Sequence, residues 1–537
     1  MEGRLIKVNA RAGPTLPSLL SLSHLDIKKK NIELIRCVTF ESIVLLYFMM
    51  RCILRLRKGI GLITILLLTA SVYNLSGQKV TVSDEIVLRT DLAYDLVGKI
   101  DSQVILFRDR GNKFEAKIFD ESMRFKSDKE LPLADKNCTI MATLLHDSTF
   151  YVFYGFRHRG NYYIQTDRFN GNCDKVSGDT IKIYDDILLN PSVKYTRSDD
   201  KSKILFFTAE HDRDMQLVVF DLDTRKTIFE RKVVFKETDI SEDFRSMIVT
   251  NEGSVIAIFE KENYRSKKDK HFLEVFQFLP GMESVQTYNI PLFKIVSFHN
   301  KFIYDNANHQ LVGGGVYTQK SLNKAEGIYF IKHALKTGAE MRFNLFPFDT
   351  RFDEEISRRA KDKNEFNQLV VSDIALKEDG GALLITEIKK EYERRAAYGG
   401  APRSFGNPYS IRSATLVDYY FEDMALFAIG KEGNLSWSDV LHKKQYSHDD
   451  DGVYSSYFLF KNPSRLRLVY NDEISTENTV SEYIVHANGQ YQRKSVLSTE
   501  YVRLQLRFRD AVQISSTAFV VPSQRSTRLS LVKIEYL

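Results

Sequence analysis

Unbroken apolar runs of four or five residues recur along most of the chain, each bounded by polar and turn-forming positions. Val104-Ile105-Leu106-Phe107, Phe150-Tyr151-Val152-Phe153-Tyr154, Ile204-Leu205-Phe206-Phe207 and Val255-Ile256-Ala257-Ile258-Phe259 are the plainest. Runs of this length, flanked by segments alternating apolar and polar residues, predict short strands buried on both faces beside half-buried ones. A second pattern marks the turns. An apolar or aromatic residue leads into Asp, Asn or Gly at Ile118-Phe119-Asp120, Phe169-Asn170-Gly171 and Val218-Val219-Phe220-Asp221-Leu222-Asp223-Thr224. It returns at Phe278-Leu279-Pro280-Gly281, Lys336-Thr337-Gly338, Gly430-Lys431-Glu432-Gly433 and Ala487-Asn488-Gly489. The interval is roughly fifty to sixty residues with one longer gap, the mark of a repeat architecture.

Four strands per interval predict an all-β fold, an eight-bladed β-propeller. The blades fall at 94–133, 138–184, 191–235, 244–290, 295–348, 366–442 and 455–497. The remaining carboxy-terminal stretch supplies three strands, at 504–514, 518–521 and 529–536, and 80–88 is a lone strand without a hairpin partner. Joining the two completes an eighth sheet, so the last blade is closed by the N-terminal strand and no open sheet edge remains. A seven-bladed ring is the alternative if the last segments merge differently. One charged stretch, 353–367, reads as a helix linking two blades. Gly313-Gly314-Gly315 lies inside a strand pattern, where glycine marks a bulge or a close backbone approach.

The amino terminus follows other rules. Arg51, Arg55, Arg57 and Lys58 precede an apolar run over 60–68 and then Ser76-Gly77-Gln78. A basic region, a short apolar region and a small-residue exit predict a cleaved secretory signal, and the run falls short of the about 20 residues a membrane span needs. A second apolar patch at 43–50 leaves a two-segment anchor as the alternative. The division is therefore 1–78 as leader, with an over-called start and initiation at Met49 or Met50, and 79–537 as a single propeller domain. The expected location is exported: periplasmic, extracellular or at the cell surface, with no stable membrane span after cleavage. Residues 1–78 hold 11 Lys and Arg against 4 Asp and Glu, so the rest carries 65 basic and 66 acidic residues, a net of −1, whereas the whole chain is +6. The basic excess belongs to the leader, and no footprint for nucleic acid remains.

Cys138 and Cys173 are the cysteines beyond the leader. The strand map puts them at opposite ends of one sheet, farther apart than the about 7 Å that a disulfide tolerates, which predicts two separate thiols.

In a propeller the second-to-third strand loops and the connections between blades share one face. Here that face receives the longer, chemically richer segments, and the largest is 389–413. Its Arg394, Arg395, Tyr398, Arg403, Phe405 and Tyr409, with Arg157 and His158 from another loop, are the candidate binding residues, because Arg and Tyr dominate binding hot spots. The metal candidates are weaker. His448-Asp449-Asp450-Asp451-Gly452 concentrates hard oxygen ligands, but aligning Gly452 with the glycine of a calcium-binding EF-hand loop puts Ser447 first and Phe458 where the bidentate acid belongs. His211-Asp212-Arg213-Asp214 reads as a solvated turn. No nucleophile elbow, zinc His-Glu-x-x-His or phosphate-binding glycine loop is present, so neither a metal nor a cofactor is expected.

Two hairpins, Phe220-Asp221-Leu222-Asp223-Thr224-Arg225-Lys226-Thr227-Ile228-Phe229 and Gly433-Asn434-Leu435-Ser436-Trp437, resemble the turns of quinoprotein-like eight-bladed propellers. The resemblance implies the architecture. Enzymatic members of that family repeat a docking Trp in most blades and often carry adjacent cysteines at the cofactor. Trp437 is the only Trp in this chain and no Cys-Cys pair exists, which speaks against a quinone-dependent dehydrogenase. The functional expectation is an exported binding or scaffold protein, a monomer, recognising a protein or glycan partner through its long-loop face. The alternatives are an extracellular polysaccharide hydrolase or lyase and a membrane-tethered sensor.

Overall fold

The computed structural model describes residues 78–537, apart from 112, 186–189, 212, 321–323, 337, 358–367, 396–414, 475–478 and 499–503. The expected leader lies outside these residues. The described strands form eight antiparallel sheets. Seven are consecutive in sequence, and we number them blades I to VII: 93–131, 139–184, 193–234, 244–291, 296–347, 369–441 and 458–498. Blade VIII is composite. Val512–Gln513, Ala518–Arg525 and Arg528–Tyr536 are its first three strands, and Gln78–Val82 is the outermost. Gln78 pairs with Tyr536 and Val82 with Val532. The ring is an eight-bladed propeller closed by its own first strand.

Apolar burial is divided accordingly. Among the described residues the core consists of eight clusters, one at each junction between neighbouring blades. Each sheet is packed on both faces, which is why second strands such as Val255–Lys261 are buried along their whole length. Fourth strands face solvent at the rim and alternate, as in Lys226–Val234. The cluster between VIII and I joins Val520 and Leu529 to Leu96 and Val104, so the last junction is filled like the others.

The recurrent turns all connect third to fourth strands. Asp120, Asn170 and Asp221 each accept a backbone N–H two residues on, at 2.8, 2.9 and 2.9 Å. A residue of positive φ follows at Met123, Cys173 and Arg225. This is the physical content of the motif: a short acceptor side chain stabilises the tight turn. Cys173 sits in one such turn, buried, and Cys138 lies just before the first strand of the same blade. Both are free thiols, and burial pushes each up to about 12. The triple glycine lies in the second strand of blade V. A Cβ on Gly313 would stand 2.1 Å from the Phe302 ring and one on Gly314 2.4 Å from Leu384, so the close-approach reading holds.

The helix differs from expectation. Thr350–Ser357 is helical, three residues earlier than the sequence indicated, and the rest of the expected helix lies outside the described residues. Among the described residues, no helix is long and apolar enough to cross a membrane.

Candidate functional site

The two faces of the ring differ in the length of their connections, and we call the one with the short connections narrow and the other wide. On the narrow one, turns between first and second and between third and fourth strands are tight. On the wide one, blade VI sends out an arm. Its second and third strands, Ala382–Arg395 and Thr415–Ile429, have 14 and 15 residues, while no other described strand exceeds 10. Pairing continues past the blade from Lys389 with Phe421 to Arg395 with Thr415. At about 3.3 Å per residue, those seven pairs carry the hairpin roughly 20 Å outward. A further strand, Gln445–His448, pairs with Asp418–Phe421 and makes the arm three-stranded. The expectation that 389–413 is a loop is thus corrected for 389–395, which is strand.

One face of the arm carries a row of aromatic rings. Tyr392 meets Tyr420 edge-on at 5.7 Å, Tyr420 meets Tyr446 at 4.9 Å, and Tyr446 stacks on His448 at 6.2 Å. Tyr392 and Tyr446 are 47% and 41% exposed. The pairings come from register, since Tyr420 is opposite Tyr446 and Tyr392 is opposite Asp418, whose carboxylate accepts from the Tyr446 hydroxyl at 2.9 Å. The acidic run after His448 braces the arm. Asp449 accepts from the Val417 N–H at 2.9 Å, Asp450 from Ser447 and from the Gly452 N–H, and Asp451 from the Tyr419 hydroxyl. These carboxylates are engaged in turn and strand contacts, which is the solvated-loop reading with a structural duty added.

Where the arm leaves the blade, a buried ionic hub fixes it. Glu387 and Lys443 are both fully buried, 2.6 Å apart. The second Glu387 oxygen accepts from Ser456 at 2.7 Å and faces Lys389 at 3.3 Å. Lys443 also donates to the Phe421 carbonyl and to Gln445. Burial would push the Glu387 carboxyl up, but Lys443, Lys389 and Ser456 outweigh it and hold the group below the usual carboxylate range. Burial depresses the Lys443 ammonium in spite of Glu387.

At the ring's inner edge, on blades I and II, lies a second polar group. Asp95, on the first strand of blade I, accepts from Thr143 on the first strand of blade II at 2.6 Å. Its side chain is open to solvent although protein surrounds it on most sides. Burial pushes its carboxyl above the usual range, Thr143 pulls the other way, and Asp510 adds to the rise. Asp510 is itself held by Arg507 at 2.6 Å. Sequence reading missed Asp95. One polar residue in a strand is ordinary, and only ring closure brings Asp510 beside it.

The sequence-derived candidates do not converge. Arg394 and Arg395 are at the end of the arm's first strand, while Tyr398, Arg403, Phe405 and Tyr409 lie outside the described residues. Arg157 and His158 are exposed at the wide-face turn of blade II. Blades II and VI are four places apart in a ring of eight, so this pair stands across the ring from the arm.

No protein-family profile matches the chain, and no curated protein does. Solved structures resemble it only distantly. The polysaccharide lyase Uly1 is 7% identical with a TM-score of 0.36, over 76% of this chain and 93% of that one. The β-propeller domain of the Trilobed protease from Pyrococcus furiosus is 8% identical with a TM-score of 0.32, over 78% and 98%. Prolyl oligopeptidase B from Galerina marginata is 9% identical with a TM-score of 0.38, and the match spans 83% of this chain but 55% of the peptidase. At this distance none of them bears on activity.

Proposed function

We propose that this protein is an exported binding or scaffold propeller, monomeric, which engages a macromolecular partner, protein or glycan, through the arm on its wide face. The observation that carries the reading is the row Tyr392–Tyr420–Tyr446–His448, held on a three-stranded arm with two of its tyrosines 47% and 41% exposed. Rigid tyrosines present large contact area at low entropic cost, and such residues dominate binding energy at interfaces. The arm's ionic base supports a preorganised surface, which lowers the cost of association. Export rests on the basic and apolar pattern of 51–78, and mass spectrometry of the mature amino terminus tests it.

The binding experiment is capture from envelope extracts, identification of the captured partner, and measurement of its affinity for purified variants. Tyr392→Ala with Tyr446→Ala weakens binding at least about tenfold while the unfolding midpoint stays within a degree or two of the parent. Undiminished affinity in the double variant removes the arm from the interface. Alanine at Arg394, Arg395, Tyr398, Arg403, Phe405 and Tyr409 then asks whether those residues contribute, and at Arg157 with His158 whether a partner reaches across the ring.

A second reading, a polysaccharide hydrolase or lyase, draws on Asp95, a carboxyl raised by burial and by a neighbouring carboxylate at the ring's inner edge. Polysaccharide cleavage that survives Asp95→Asn would deprive this reading of its acid.

A further inference from the structure

An open groove of about 580 Å³ lies on the rim between blades VI and VII, toward the narrow face and away from the arm. Trp437 and Tyr491 supply its aromatic surface, and Asn488, Gln490, Gln492 and Asp439 supply most of its polar groups. Its size is within the range of small-ligand sites. His486 adds an imidazole, and among the described residues no Lys, Arg or aliphatic side chain lines it.

The aromatic part is set in place before any ligand arrives. The Trp437 indole N–H donates to the Ala487 carbonyl of the neighbouring blade at 3.2 Å. Gly489 rests against the indole so closely that a Cβ there would stand 2.8 Å from Cδ2, and its φ of +89° suits glycine. The indole is therefore clasped by the turn of the next blade. Tyr491 is 41% exposed and packs edge-on against Tyr483 at 5.8 Å. The Asp439 carboxylate is oriented by the Val440 N–H at 3.0 Å, and Arg351 approaches it to 3.8 Å from outside the lining.

From this lining we infer that the groove binds an uncharged, polyhydroxylated ring: a neutral saccharide unit. Side-chain amides both donate and accept hydrogen bonds, which matches hydroxyl groups that do the same. The C–H faces of a sugar ring suit indole and phenol surfaces. An anionic ligand such as a phosphate or a uronate would meet the Asp439 carboxylate, with Arg351 already turned to it, and no Lys or Arg among the described lining residues. An acyl chain would meet no aliphatic wall. The inference is independent of the arm, since it concerns other residues on the opposite face of the ring.

Because Trp437 is the only Trp in the chain, tryptophan emission reports on this groove alone. The test titrates the protein with xylo-, cello- and manno-hexaose, and in parallel with oligogalacturonate and inorganic phosphate. The expected result is a saturable change in emission with at least one neutral hexaose and none with the charged probes. Tyr491→Ala weakens that response about tenfold, and Gln490→Ala weakens it to a lesser degree. Both positions are exposed turn or strand residues, and unchanged urea midpoints verify the fold of each variant. Three results overturn the inference: no neutral hexaose alters emission, the charged probes alone do so, or a neutral response persists unchanged in both variants.

Discussion

The Arg467 guanidinium lies 3.8 Å over the ring of Tyr536, the penultimate residue of the chain. Both reach the fully buried Glu482 of blade VII. Arg467 donates to one carboxylate oxygen at 2.6 Å and the Tyr536 hydroxyl to the other at 2.7 Å. Gln78, at the start of the closing strand, donates to the same carboxylate at 3.1 Å. One side chain of blade VII thus holds the last strand of the ring and the first.

Removing the cation from that cluster leaves a buried carboxylate without its partner. Arg467→Ala is expected to cost about 3–5 kcal/mol, whereas Tyr536→Phe, which deletes one hydrogen bond, costs about 1–3 kcal/mol. Urea unfolding followed by circular dichroism separates the two. Equal losses would show that the guanidinium is not what neutralises Glu482.

The hub beneath the arm answers to pH. The Glu387 and Glu260 carboxyls are both held below the usual range, Glu260 by His271 and Arg245 against the effect of burial. A depressed carboxyl contributes stability that is complete above its unfolded value, about 4.3, and is lost as pH falls through the folded value. The melting temperature is therefore expected to change little between pH 7 and 5 through these groups and to drop below that. In Lys443→Met the loss at pH 7 is about 3–5 kcal/mol, and it narrows on acidification because protonated Glu387 no longer requires a cation. A gap between variant and parent that stays constant from pH 7 to 4 would contradict this account.

Closure can be opened directly. A chain beginning at Arg89 lacks the outermost strand of blade VIII together with the buried Ile86 and Leu88. It exposes the edge of Arg528–Tyr536, an invitation to pair with other chains. Such a chain is expected to melt at lower temperature and to associate in light scattering, relative to one beginning at Gln78. Identical melting curves would mean that the ring does not depend on its clasp.

Gly489→Ala places a methyl group against the Trp437 indole at a backbone angle that L-residues rarely adopt. The expected cost is about 1–3 kcal/mol, accompanied by a shift in tryptophan emission as the indole moves. Unaltered stability would show that the turn yields without strain.

Blade limits were legible because the ring buries its second strands on both sides. Ile204-Leu205-Phe206-Phe207 can be read from composition alone, and Asp120, Asn170 and Asp221 mark turns by their own hydrogen bonding. The closing strand was legible too, since three strands at one end and a lone strand at the other have few ways to satisfy their edges. The arm was not. Lys389-Lys390-Glu391-Tyr392-Glu393-Arg394-Arg395 is charged at every position but one, so no apolar alternation distinguishes strand from loop. The rim groove was hidden for another reason. Trp437 and the 486–492 turn are about fifty residues apart and become neighbours only because successive blades repeat at that interval.

The pairing of Gln78 with Tyr536 has a directional consequence. The final strand descends from the wide face to the narrow one, so both of its paired ends emerge below the wheel. Any upstream segment joined to Gln78 departs on that lower side and aims the arm of blade VI the opposite way. Were such a segment to moor the protein to a surface, the tyrosine row would point outward, while the saccharide groove would hang beneath, nearer the mooring.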